Sequence, residues 1–196
     1  MKHLAISSLI CLLSSIVLVT GSATIAGAQE TKPHSAITPA PRGGGWMNRH
    51  KNYNARVAKG SADLLFIGDS ITQAWESVGR KVWMKHYGKR NAVNLGISGD
   101  RTEHVLWRLD NGNIKGISPK VAVIMIGTNN TGRNPNTPSQ IVDGVTAIVA
   151  KLRKKLPEMK ILLLGIFPRG QAFNSQRGII TQVNQTIRKL HDGKHI

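Results

Sequence analysis

Four short apolar runs, each followed by a helical pattern, constrain this chain more than any other feature. The runs span 63–68, 92–97, 121–126 and 160–167, and they are rich in Val, Ile and Leu. Helical periodicity fills the segments between and after them, over 71–87, 102–109, 139–156 and 175–190. A further helix is expected over 46–59, ahead of the first strand. Near-continuous apolar strands alternating with helices specify a parallel sheet covered on both faces, because a strand buried on both sides has no polar face to present. The expected fold class is therefore α/β, a three-layer α/β/α sandwich.

That architecture predicts where a ligand would sit. In an open parallel sheet the crevice lies beyond the carboxyl ends of the strands. A polar, glycine-bearing corner follows each run there: Gly68-Asp69-Ser70, Gly96-Ile97-Ser98-Gly99-Asp100, Gly127-Thr128-Asn129-Asn130 and Phe167-Pro168-Arg169-Gly170. Ser70 would stand at a strand-to-helix turn, where its backbone N–H is one of the unpaired donors of a helix start. It reads either as a nucleophile or as a helix-capping serine. Gly96 reads as a donor that no Cβ obstructs or as a turn glycine. Asn129 reads as an amide donor for a developing oxyanion or as a turn residue bonding its own backbone. Ser98 is a weaker rival nucleophile, since Asp100 occupies the last position of the G-x-S-x-G elbow. Neither a phosphate-binding loop nor a metal-ligand spacing of histidines occurs in the sequence, and no metal or cofactor is expected.

Taken together, Phe66-Ile67-Gly68-Asp69-Ser70, Asn94-Leu95-Gly96 and Gly127-Thr128-Asn129 resemble the first three sequence blocks of the SGNH/GDSL hydrolases. The stretches 99–112, 126–130 and 167–170 resemble the branch that holds the platelet-activating-factor acetylhydrolase catalytic subunits and bacterial secreted esterases. The likeness spans about 63–195. It implies a flavodoxin-like sheet and a serine esterase acting on a short acyl ester, acetyl above all, of a lipid or carbohydrate. It also implies roles: Ser70 as nucleophile, and Ser70, Gly96 and Asn129 as the oxyanion hole. The alternative is a catalytically impaired fragment that binds carbohydrate or lipid.

The family's fourth block is D-x-x-H, and Asp192-Gly193-Lys194-His195 fits its spacing. The topology places it badly. The fourth strand delivers the chain to the cleft end, and the helix over 175–190 carries it back again. A strand of about six residues covers ~20 Å, whereas a base must lie ~3 Å from its nucleophile. Lys194-His195-Ile196 reads instead as the opening of a fifth strand, so the last strand and helix of the family fold are expected to be missing. An unpaired edge and an uncovered apolar face would then favour homodimers. His104 reads as a packed or solvent-facing side chain.

The ends of the sequence carry their own expectations. Residues 1–28 have a basic start, an apolar stretch and the small residues Ala26-Gly27-Ala28, the layout of a signal peptide. The expected location is secreted or periplasmic, with no membrane span left after cleavage. Cys11, the only cysteine, would leave with that segment. Residues 29–45 contain three prolines and a triple glycine and read as a flexible linker to a hydrolase domain over 46–196. The formal net charge of +17 is spread along the chain. Scattered cations without an interleaved aromatic strand argue against a specific nucleic-acid partner and for anionic polysaccharide or membrane surfaces.

Overall fold

Strand β1 (Leu64–Gly68) lies between β2 (Ala92–Asn94) and β3 (Val121–Met125), and β4 (Lys160–Leu163) flanks β3. All three ladders are parallel, in the order β2-β1-β3-β4. The register aligns Leu64 with Ala92 and with Val121, and Val121 with Lys160, so the strands start level and end at one rim. The computed structural model describes residues 33–196, so the signal peptide expected over 1–28, Cys11 included, lies outside the described residues. The helices are α1 (Gly45–Val57), α2 (Ser70–Gln73), α3 (Arg80–His86), α4 (Thr102–Asp110), α5 (Pro138–Lys155) and α6 (Ser175–Ile187). Among the described residues none is long and apolar enough to cross a membrane.

The two faces of the sheet differ because strand side chains alternate. Leu65, Ile67, Ala122, Ile124 and Ile161 point one way, into a core shared with α1, α4, α5 and α6. Phe66 points the other way and meets Trp75, Trp83 and Tyr87 edge-on, with ring centroids 4.9–6.4 Å apart. That second face is covered by the α2–α3 segment over β1, but Leu162 on β4 is 54% exposed.

Three expectations need correction. The single helix expected over 71–87 is broken. After α2 a 3-10 turn (Ala74–Glu76) and Ser77–Gly79 intervene, with the Gly79 N–H closing on the Ala74 carbonyl at 3.0 Å. Serine and glycine are weak helix formers, and the break lets both Trp75 and Trp83 reach Phe66. The fourth strand ends at Leu163 because Asn184 of α6 captures the backbone of Ile166, accepting from its N–H at 2.8 Å and donating to its carbonyl at 2.9 Å. The linker expected over 29–45 is, from Pro33 onward, a packed strap belonging to the same compact unit as the sheet. Ala36 is fully buried, and its carbonyl accepts from the Thr102 hydroxyl at 2.8 Å.

Candidate active site

The first corner is a tight strand-to-helix turn. Asp69 caps α2 through a carboxylate that accepts the Ile71 N–H at 3.0 Å, and it is 1% exposed. Ser70 is the first helical residue and is exposed at the rim. Among the described residues neither its backbone N–H nor its hydroxyl is hydrogen-bonded, as expected for a first-turn donor. Gly68 is required here by packing: a Cβ would stand 2.5 Å from the Met125 carbonyl and 2.2 Å from Thr72 Oγ1.

The second corner presses against the first. A Cβ on Gly96 would lie 2.4 Å from the backbone nitrogen of Gln73, in the first turn of α2. Asn94 ties the two together, donating Nδ2 to the Thr72 carbonyl at 2.9 Å and accepting the Gly96 N–H at 2.8 Å. With one donor and one acceptor satisfied, the orientation of that amide is fixed. The Gly96 N–H is therefore already engaged, and any oxyanion would have to share it with Asn94. Ser98 stays on the loop beyond, its N–H held by Gln73 Oε1 at 2.8 Å and its carbonyl by Arg42 at 2.9 Å.

Two asparagines divide the work at the third corner. Asn130 is fully buried and structural, accepting the Thr102 N–H at 3.1 Å and donating to Thr102, Glu103 and Asn136. Asn129 is half-buried and donates one Nδ2 hydrogen to the Asp100 carbonyl at 2.8 Å, which leaves its second hydrogen for a ligand. Asp100 is itself fixed from below. Its side chain is fully buried, accepting from Trp46 Nε1 at 2.6 Å and from Arg108 Nε at 2.9 Å. Arg169, after β4, donates to the Thr128 carbonyl at 3.1 Å and brings the fourth corner in.

The charges report the same convergence. Burial pushes the Asp69 carboxyl up to about 6, with Asp100 adding to the rise and Arg169 opposing it. Burial also raises Asp100 against the pull of Arg108 and Trp46. Charged groups of the first, second and fourth corners thus lie within electrostatic reach at Asp69.

Beside Ser70 an apolar cleft of about 460 Å³ opens, lined among others by Ile71, Trp75, Val78, Met125, Leu162 and Phe167. Trp75 lines it, while Trp83 packs behind it against Phe66 and Tyr87.

The histidines stand elsewhere. Among the described residues none is hydrogen-bonded to Ser70. His195 sits at the opposite end of the sheet, where its carbonyl accepts the Ile161 N–H at 2.7 Å on the outer edge of β4. Ile161 is level with Leu65, so the run of β1 alone separates that histidine from Ser70 by about 15 Å. Asp192 accepts three backbone N–H groups, from Lys194, His195 and Ile196, and these hold its carboxyl well below the usual range. His104 accepts the Arg101 N–H on Nδ1 at 2.9 Å as part of the α4 cap. Burial and the nearby guanidinium groups bring it down to about 4, so it is neutral despite Asp100 at 3.8 Å.

Residues 66–196 match the GDSL-like Lipase/Acylhydrolase family. The chain belongs to that family. It is 38% identical over 162 residues to the human platelet-activating factor acetylhydrolase IB subunit alpha1, covering 81% of this chain and 68% of the relative. Identity to the alpha2 subunit of Rattus norvegicus is also 38%, over 73% of this chain, which spans only 60% of that relative's length. The fold of this family member is shared with a GDSL-like lipase from Bacteroides thetaiotaomicron, at a TM-score of 0.55 and 23% identity over 73% of this chain and 71% of the other. It is shared too with the SGNH-hydrolase esterase AlinE4, at a TM-score of 0.54 and 22% identity over 68% of this chain and 74% of the other.

The sequence reading missed the parts that hold this GDSL-type corner in place. Asn94 precedes Gly96 by two residues and carried no signal beyond its membership of Asn-Leu-Gly. Asp100 and Arg108 lie eight apart, and no local period links them; only burial of an Asp and an Arg together reveals the pair.

Proposed function

We propose that the protein is a serine ester hydrolase in which Ser70 attacks the ester carbonyl. The oxyanion is received by the Ser70 N–H, the free Asn129 amide hydrogen and a Gly96 N–H shared with Asn94. The observation that carries this reading is the exposure of an unengaged Ser70 at the start of α2, on the rim where Gly96 and Asn129 also stand. Donors fixed before the substrate arrives stabilise developing charge without reorganising, which is where most of such catalysis originates. Membership of an acylhydrolase family supports the reaction class, and relatives named acetylhydrolases support a short acyl group, acetyl first. The leaving group is a lipid or a carbohydrate. The segment 1–28 acts as a signal peptide, which makes the enzyme secreted or periplasmic.

A second reading is favoured by one observation, the absence of a histidine against Ser70 among the described residues. On that reading the chain binds an acylated lipid or carbohydrate and turns it over feebly or not at all. Hydrolysis of p-nitrophenyl acetate by the wild type and by Ser70→Ala separates the two. The enzyme reading expects turnover that falls to background in the variant. Equal rates from both proteins remove Ser70 from the mechanism. Retention of acylated ligand by both, with no acyl-enzyme burst, supports the binding reading.

A further inference from the structure

The segment from Val78 to Arg90 presents a surface that the hydrolytic site does not use. Trp83 and Tyr87 turn inward onto Phe66, so the opposite side of α3 faces solvent. Lys81 and Lys85 lie on that outer side with Val82 and Met84, which are 49% and 59% exposed. Val78, just before the helix, is 90% exposed, and Lys89 and Arg90 follow it. No carboxylate occurs between Glu76 and Asp100, and Glu76 is already paired with Arg49 at 2.6 Å. Among the described residues none of the cations on this segment enters an ion pair.

Exposed aliphatic side chains set among unpaired cations match one kind of partner. Phosphate headgroups attract the cations, and the acyl boundary beneath them accepts the apolar side chains. A polyanion such as nucleic acid or an acidic polysaccharide satisfies the charges but leaves Val78, Val82 and Met84 in water. Position adds to the argument, because Val78 also lines the mouth of the apolar cleft that runs to Ile71, next to Ser70. We propose that the outer face of α3 docks the protein on anionic phospholipid bilayers, with the mouth of the cleft turned toward the lipid. Docking requires no turnover at Ser70, so it stands or falls apart from the hydrolase reading.

Co-sedimentation of the full chain with vesicles tests this, using pure phosphatidylcholine and phosphatidylcholine with about one-third phosphatidylglycerol. Partition is expected onto the anionic vesicles only, and more weakly as salt is added. The double variant Lys81→Ser/Lys85→Ser should lose about fivefold per cation, on the order of twentyfold in all. Lys51→Ser/Lys115→Ser removes the same charge from exposed sites elsewhere and should bind as the wild type does. At unchanged charge, Val78→Ser/Met84→Ser should lose about tenfold. Equal loss in the two lysine variants would overturn the proposal by making bulk charge sufficient. Full retention in the Val78/Met84 variant would overturn it by removing the apolar contact. Binding to duplex DNA or heparin with no vesicle partition would overturn it in favour of a soluble polyanion.

Discussion

Asp69 stands one residue from the candidate nucleophile, and its ionisation is coupled to folding. Burial raises its carboxyl from 3.8 to about 6, so the folded chain holds this proton more tightly than the unfolded chain does. Between those two values the native state binds the extra proton, and stability from this group declines as pH rises through the window. Asp69→Asn keeps an acceptor for the Ile71 N–H but cannot ionise. Urea unfolding at a series of pH values should show the wild type losing on the order of 2 kcal/mol more than the variant between about pH 4 and pH 6. Parallel curves would mean that Asp69 titrates as it does in water. At this scale the sequence was informative where polar corners follow a strand end: the placement of Ser70, Gly96 and Asn129 on one rim was legible from their position after apolar runs. What it concealed is that the Gly96 N–H is engaged. That depends on an Asn94 side chain folding back over two residues, which no spacing rule distinguishes from an outward-facing one.

At the scale of elements, α4 contributes more than coverage of the sheet. It carries Arg108 inward to Asp100, and that aspartate's main chain receives the amide of Asn129. Both charged side chains are buried, at 1% and 0% exposure, and without Arg108 the Asp100 carboxylate is left to Trp46 Nε1 at 2.6 Å and the more exposed Arg42 at 3.4 Å. Arg108→Met should cost about 3–5 kcal/mol in chemical denaturation, and adding Asp100→Asn should recover much of it. Additive losses would show that the pair is not coupled. Strands and long helices were legible because their periodicity is their own. The packed strap from Pro33 was not, because its burial is decided by another element. Ala36 fits only since Gly144 on α5 lacks a side chain, whose Cβ would lie 2.8 Å from the Ala36 carbonyl. The break between α2 and α3 was hidden for the same reason, since apolar Trp75 and Trp83 satisfy a helical pattern while both reach for Phe66.

The whole molecule carries a formal net charge of +17, and its acids are largely committed to local pairs such as Asp110 with Lys151 and Lys155. Self-repulsion of the remaining cations opposes compaction and is screened by salt. The thermal midpoint should therefore rise by several degrees between ~0.01 M and ~0.15 M sodium chloride, over which the screening length falls from about 30 Å to about 8 Å. A midpoint indifferent to salt would show the surface charges too dispersed to matter. The sheet order has a separate consequence, for synthesis. β1 lies between two strands that both follow it in the chain, so none of its ladders is a local hairpin. As the polypeptide leaves the ribosome, Leu65, Phe66 and Ile67 must wait unpaired until Ala92 emerges, and again until Val121. During that interval a strand of four large apolar residues and one glycine is available to any chaperone that can hold it.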